Sequence, residues 1–284
     1  MATLHHRWRK IKSSIISALC LLCATIVIVP LAFVLFDLLK EGASSLDLSF
    51  FTQLPKPAGE VGGGMANAII GSFTLLGLAA LVGVPIGVLG GIYLSEFGQP
   101  QFNAVVRFAA DILNGVPSIV WGIVVYAIAV VPMHGFSAYA GGMALGFMMV
   151  PLIIRTTEEM LGLVSNNYRE AAFALGIPHW KIVLHIVLKT ANKGILTGIL
   201  LAVARIAGEA APLMFTALGN AGWSHKLSEP ISALPLQIFT YFKSPYADEK
   251  RQAWGASLVL VLLAISLNIG VRLIARTRAP HLTK

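Results

Sequence analysis

Long apolar runs, separated by short basic or polar segments, set the pattern of this chain. Six stretches read as helical spans: about Ile15 to Leu39, Ala66 to Leu94, Asn103 to Val131, Ala138 to Leu161, Ile186 to Leu218 and Trp254 to Ile274. Each reaches the roughly 20 residues that carry a helix across a ~30 Å hydrocarbon layer. Strict alternation of apolar and polar residues, the mark of a barrel strand, is absent from them. A chain in lipid must satisfy its own backbone hydrogen bonds, so the expected fold is an all-α membrane protein with about six transmembrane helices.

Composition agrees. Of 284 residues, 56% are hydrophobic and 12% charged, against roughly 25% charged in a soluble globular domain. The net charge of +8 sits in short blocks beside the apolar runs rather than on one polar face, which points to membrane topology and away from nucleic acid. Basic residues gather in the N-terminal tail (Arg7, Arg9, Lys10, Lys12), between Arg155 and Lys193, and near the C-terminus up to Lys284. The opposite set of loops holds fewer, among them Lys40, Lys56 and Lys226. Both termini are therefore expected in the cytoplasm. Residues 1–14 read as a basic cytoplasmic tail, 15–278 as one transmembrane domain, and 162–185 as a cytoplasmic loop. The first apolar run is too long for a usual signal core and is followed by Lys40-Glu41-Gly42, without a small-x-small cleavage pattern, so it reads as a retained helix. Cys20 and Cys23 inside it, without further ligands, read as small apolar filler.

Prolines recur within the spans at Pro85, Pro117, Pro151 and Pro212, and each removes a backbone donor. Gly83-Val84-Pro85 and Gly115-Val116-Pro117 place the same tripeptide in adjacent spans. The second span carries Gly71, Gly77, Gly83, Gly87, Gly90 and Gly91, which admit a neighbouring helix closely. The polar loop from Glu41 ends in Gly62-Gly63-Gly64 and reads as a flexible connector. Met65-Ala66 follows those glycines in place of the Lys-Ser/Thr pair of a phosphate-gripping loop, so this chain has no nucleotide site of that type.

The segment from Ser165 to Trp180 is polar and small enough for a short surface helix. Asn167 and Glu170 have capping-box spacing, Gly176 can end the helix and Pro178 can open the next. Glu170-Ala171-Ala172, then Gly176, then Ile186 and Leu188 resembles the signature loop of bacterial ABC-importer permeases of type I. Lys189 stands where that family usually has proline. The strings Pro151 to Met160 and Ala204 to Ala217 are similar to its phosphate-specific members. The resemblance implies that Glu170, Ala171, Ala172 and Gly176 form a coupling helix docking on a cytoplasmic ATPase. It further implies a homologous second permease subunit, two ATPase subunits that bind ATP and Mg, and a periplasmic phosphate-binding protein, all at the bacterial inner membrane. No cofactor is expected in this chain, and no catalysis.

Arg205 falls midway along the fifth span, where an ionised side chain costs about 2.5–3.5 kcal/mol on insertion scales. Glu209 is one helical turn further on and can meet it on the same face. The pair is either an ion pair that only helps the bundle pack or a substrate site. A guanidinium suits an oxyanion, since its planar donors match two oxygens at once. Arg155, by position alone, reads as an interface residue whose charge snorkels outward, and Arg107 with Asp111 as a turn-spaced structural pair. In a substrate site, Glu209 would hold Arg205 between transport events and release it when the anion arrives. The family resemblance implies that Arg155, Arg205 and Glu209 take part in phosphate transport. Two arginines suit phosphate, sulfate and molybdate alike, and an ion-gradient-driven transporter is the more distant alternative. The seven histidines share no zinc-ligand spacing, and Ser118 lacks a Gly-x-Ser-x-Gly setting.

Overall fold

The computed structural model describes residues 2–276; the expected basic C-terminal residues Arg278 and Lys284, and the end of the 15–278 domain, lie outside the described residues. The elements in order are α1 (Ala2–Ser44), α2 (Leu48–Thr52), α3 (Ala66–Ile92), α4 (Pro100–Gly115), α5 (Ser118–Val125), α6 (Ala138–Gly162), α7 (Asn166–Ala174), α8 (His179–Ile182), α9 (Leu188–Ile206), α10 (Ala211–Met214), α11 (Leu234–Phe242) and α12 (Ala247–Arg276). Wider π-helical turns extend α3 over Tyr93–Phe97, α5 over Tyr126–Val130 and α8 over Val183–Val187. Among the described residues, five helical stretches are long and apolar enough to cross a membrane, and the bent α4–α5 pair, taken as one span, makes a sixth.

That bend corrects the third span, expected as one helix. α4 and α5 meet at 103°, because Val116 is extended (ψ 130°) ahead of Pro117, as steric contact with the proline ring requires. The identical tripeptide at Gly83 leaves α3 unbroken. There α6 runs alongside on the glycine face, and the neighbour holds the helix straight across the missing hydrogen bond at Pro85.

α3 and α6 form the centre of the bundle. Gly83, Gly87 and Gly91 recur at four-residue spacing, and a Cβ on each would lie 2.9 Å from Gly146 O, 2.6 Å from Ile153 Cβ and 2.5 Å from Thr157 Cβ. Contacts advance along both helices together, so the pair is parallel and its backbones touch where side chains would normally stand. Gly77, grouped with these in the sequence, meets nothing within 4 Å. α9 returns antiparallel along α6, with Gly198 against Thr156. One apolar core joins α3, α6, α9 and the 213–236 segment through Leu75, Met149, Ile153, Ile206 and Leu213. α1 lies along α12, with Gly42 against Leu258, and most of its length is exposed.

The connector ending in Gly62-Gly63-Gly64, expected to be flexible, is tied to α12 by hydrogen bonds. Gly62 N–H donates to Asp248 Oδ2 at 3.1 Å, and Gln252 Nε2 donates to Gly62 O at 2.9 Å. Gly62 and Gly63 sit at φ +93° and +84°, so the glycines serve a tight backbone path that other residues strain to follow. Asp47 caps α2, its carboxylate accepting from Phe50 N–H and Ser49 Oγ, both at 2.8 Å. Those two donors hold the Asp47 carboxyl below its usual value.

Candidate functional site

Two ends of the bundle carry chemistry. At one end, α7 and α8 form a hairpin across the end of α6. α7 is capped by Ser165, whose Oγ accepts from Asn167 N–H at 3.4 Å. The expected capping box at Asn167 and Glu170 is therefore displaced, because the helix begins one residue before Asn167. Gly176, at φ +73°, ends the hairpin's first arm: its N–H reaches Phe173 O at 2.9 Å and Ile177 N–H reaches Ala172 O at 3.2 Å. This is a Schellman closure, and glycine is the residue that enters it without strain.

The predicted coupling residues divide by direction. Ala172 is buried with Leu161, Val164, Ile182 and Val187 and anchors the hairpin. Glu170 and Ala171 are exposed. Beside them stand exposed Tyr168, Phe173 and Leu175, the last at 80% exposure. The hairpin thus presents a carboxylate among apolar groups on the outside, above an apolar anchor.

Sequence reasoning missed the residues that fix this hairpin to the bundle. Arg169 grips Glu96, at the end of the α3 extension, through Nη2 to Oε1 at 2.6 Å and Nε to Oε2 at 3.2 Å. It also donates to Leu161 O at 3.1 Å in the last turn of α6 and to Val164 O at 2.7 Å just beyond it, where the chain leaves the helix and carbonyls have room for a further donor. His179 Nε2 lies 3.7 Å from Glu96 Oε2. No local spacing could reveal this, since Glu96 and Arg169 are 73 residues apart.

One turn or two further into the bundle, Arg155 on α6 pairs with Asp111 on α4 at 3.0 Å and with Glu158 at 3.0 Å. Glu158 also accepts from Arg107 Nε at 2.5 Å. Two expectations change. Arg155 does not snorkel; Asp111 draws it to the adjacent helix, while Glu158 on its own helix holds its other nitrogen. Arg107 and Asp111 do not bind each other but each reach across to α6, because α4 lies against that face.

Arg205 and Glu209 are also separated. α9 ends at Ile206, and Glu209 N–H turns back to Ile206 O at 3.1 Å. The expected span to Leu218 fails where Gly208 loosens the backbone and Pro212, which cannot donate to it, follows four residues later. The one-turn geometry that would pair the two side chains therefore does not exist, and no ion pair within 4.0 Å joins them among the described residues. Arg205 is exposed on the last turn of α9. Glu209 is half-buried and lines a small cavity with Ser72, Leu145 and Leu213.

Among the described residues the bundle has up to six spans and a short-helix hairpin at one end, and comparison with known proteins decides what it is. Residues 83–284 match the family model described as binding-protein-dependent transport system inner membrane component. The chain belongs to that family. The permease is 46% identical to the phosphate transport system permease protein PstA of Yersinia pestis, over 94% of this chain and 91% of that protein. It is 33% identical to PstA 1 of Mycobacterium tuberculosis, over 94% and 88% of the two chains. Among solved structures, a chain of the bacterial alginate ABC transporter bound to its periplasmic protein matches with TM-score 0.69 at 13% identity, covering 95% of the permease and 97% of that chain. A chain of the inward-facing MetNI methionine ABC transporter matches with TM-score 0.58 at 20% identity, covering 76% and 95%. At these identities the two structures speak for the fold alone. The permease is a multi-pass transport subunit of an ABC importer and not an enzyme.

Proposed function

We propose that this permease carries inorganic phosphate across a bacterial inner membrane as one of two homologous membrane subunits, with both of its termini in the cytoplasm. What supports the cargo is similarity over 94% of the chain to permeases named for phosphate transport. Two ATPase subunits, holding ATP and Mg, would dock on the exposed face of α7 at Glu170 and Ala171. A periplasmic phosphate-binding protein would deliver the anion at the opposite end.

Arg205 is the residue that meets the anion in this reading. It is exposed on this subunit and, among the described residues, has no carboxylate within 4.0 Å, so its two parallel donors are available to phosphate oxygens. Arg155 is held by Asp111 and Glu158, and its part is to keep α4 on α6. Glu209 borders the pathway beyond α9 without restraining Arg205.

The test is Arg205→Gln in the assembled transporter. Phosphate uptake is expected to be lost while co-purification with the ATPase is kept; normal uptake would remove Arg205 from the pathway. ATPase stimulation by phosphate, sulfate and molybdate, each offered in parallel, checks the cargo. Stimulation by sulfate or molybdate instead of phosphate would reassign it.

A further inference from the structure

Glu96 sits where three parts of the permease meet. It belongs to the π-helical turn that extends α3, and its side chain is 3% exposed. Arg169 on α7 reaches it with two donors, and His179, the first residue of α8, approaches it at 3.7 Å. The His179 ring is itself flanked by Phe97 at 4.9 Å and Phe173 at 5.6 Å. Both arms of the hairpin therefore close on one carboxylate that belongs to neither. Ser95 Oγ donates to it as well, at 3.0 Å.

The route onward from Glu96 is rigid. α3 is locked to α6 by backbone contact at Gly83, Gly87 and Gly91. The other donors of Arg169 are spent on Leu161 and Val164 at the end of α6. A bidentate guanidinium–carboxylate pair fixes orientation as well as distance. Burial makes loss of one partner costly for the other. A displacement of α7 is consequently a displacement of α3 and α6.

We propose that Glu96 is the positioning residue that makes the α7–α8 hairpin and the α3–α6 pair move as one body, so that movement imposed on the hairpin reaches the transport pathway. This rests on the reading of α7 as the ATPase-docking element. Glu96 touches neither phosphate nor ATP; it acts through Arg169 and His179.

The experiment uses the complete transporter in proteoliposomes, with Glu96→Gln, Glu96→Asp, Arg169→Gln and the Glu96→Gln/Arg169→Gln double variant. Three quantities are read: co-purified ATPase, ATP hydrolysis stimulated by phosphate-loaded binding protein, and phosphate taken up per ATP. For Glu96→Gln the expected result is retained ATPase and retained hydrolysis. Uptake per ATP should fall at least about fivefold, the low end of a typical coupling free energy. The double variant should be no worse than either single one, because one interaction is removed in all three. Glu96→Asp should recover part of the ratio. An unchanged ratio in Glu96→Gln overturns the proposal. So does loss of assembly in both Glu96→Gln and Glu96→Asp, which marks a merely structural role. Glu170→Lys separates the two readings: if it leaves ATPase co-purification and stimulated hydrolysis intact, docking through α7 fails, whatever Glu96 shows.

Discussion

Glu158 on α6 and Arg107 on α4 meet at 2.5 Å, with Glu158 almost enclosed and Arg107 nearly half exposed. The same carboxylate serves Arg155 through its other oxygen. Arg107 therefore depends on a buried acid that Arg155 shares, and α4, bent away from α5 at Val116, is tied to α6 through Glu158 and through the Asp111–Arg155 pair.

Glu158→Gln is expected to destabilise the permease by about 1–3 kcal/mol, since it leaves Arg107 without its carboxylate and Arg155 with Asp111 alone. Glu229→Gln, at the exposed Lys226 pair, should change stability by less than about 1 kcal/mol. Thermal unfolding of the detergent-solubilised protein compares them. Equal effects would remove the importance assigned to the α4–α6 network.

Gly87→Ala should cost about 1–3 kcal/mol as an overpacked core substitution, because its Cβ would press on Ile153. Gly77→Ala, with nothing within 4 Å, should be neutral or slightly stabilising. The yield of folded protein after mild heating distinguishes the two positions, and a tolerant Gly87 would contradict the close approach of α3 to α6.

Asp47 supplies a pH test. Its carboxyl is held below the usual value by the Ser49 hydroxyl and the Phe50 amide. A depressed folded value contributes stability above the unfolded value, which for aspartate is about 3.9. That contribution is lost as pH falls through the folded value. Wild type should therefore exceed Asp47→Ala in melting temperature at neutral pH, and the gap should narrow only below about pH 4. A gap that closes between neutrality and pH 5 would point to another titrating group.

Much of the bundle is legible in the sequence, and what is not has a physical reason. α6 was expected over 138–161 and runs Ala138–Gly162, because an apolar run with small residues has few other solutions in lipid. Gly176 as a terminator was readable because a left-handed closure is a local event. Three features depend on neighbours. The tripeptide at 83 and 115 is identical, and only packing against α6 decides which copy bends. The pairing rule for Arg205 and Glu209 presumes an unbroken helix through both, and α9 stops at Ile206. Gly62 appears slack until Asp248 and Gln252, 186 and 190 residues on, take hold of its backbone.

The crowded glycines of α3 have a mechanical counterpart elsewhere in the chain. Because a Cβ on Gly83, Gly87 or Gly91 would collide with α6, the two helices lie too close to slide past one another without being prised apart. Shear is thus closed to the pair, and only rotation of both together remains. Gly115 and Gly208, by contrast, have open space where a side chain would be, and both stand at interruptions: the α4–α5 corner and the end of α9. Glycine thereby does two opposite jobs in one polypeptide: it lets two rods lie against each other, and it stands where the chain turns.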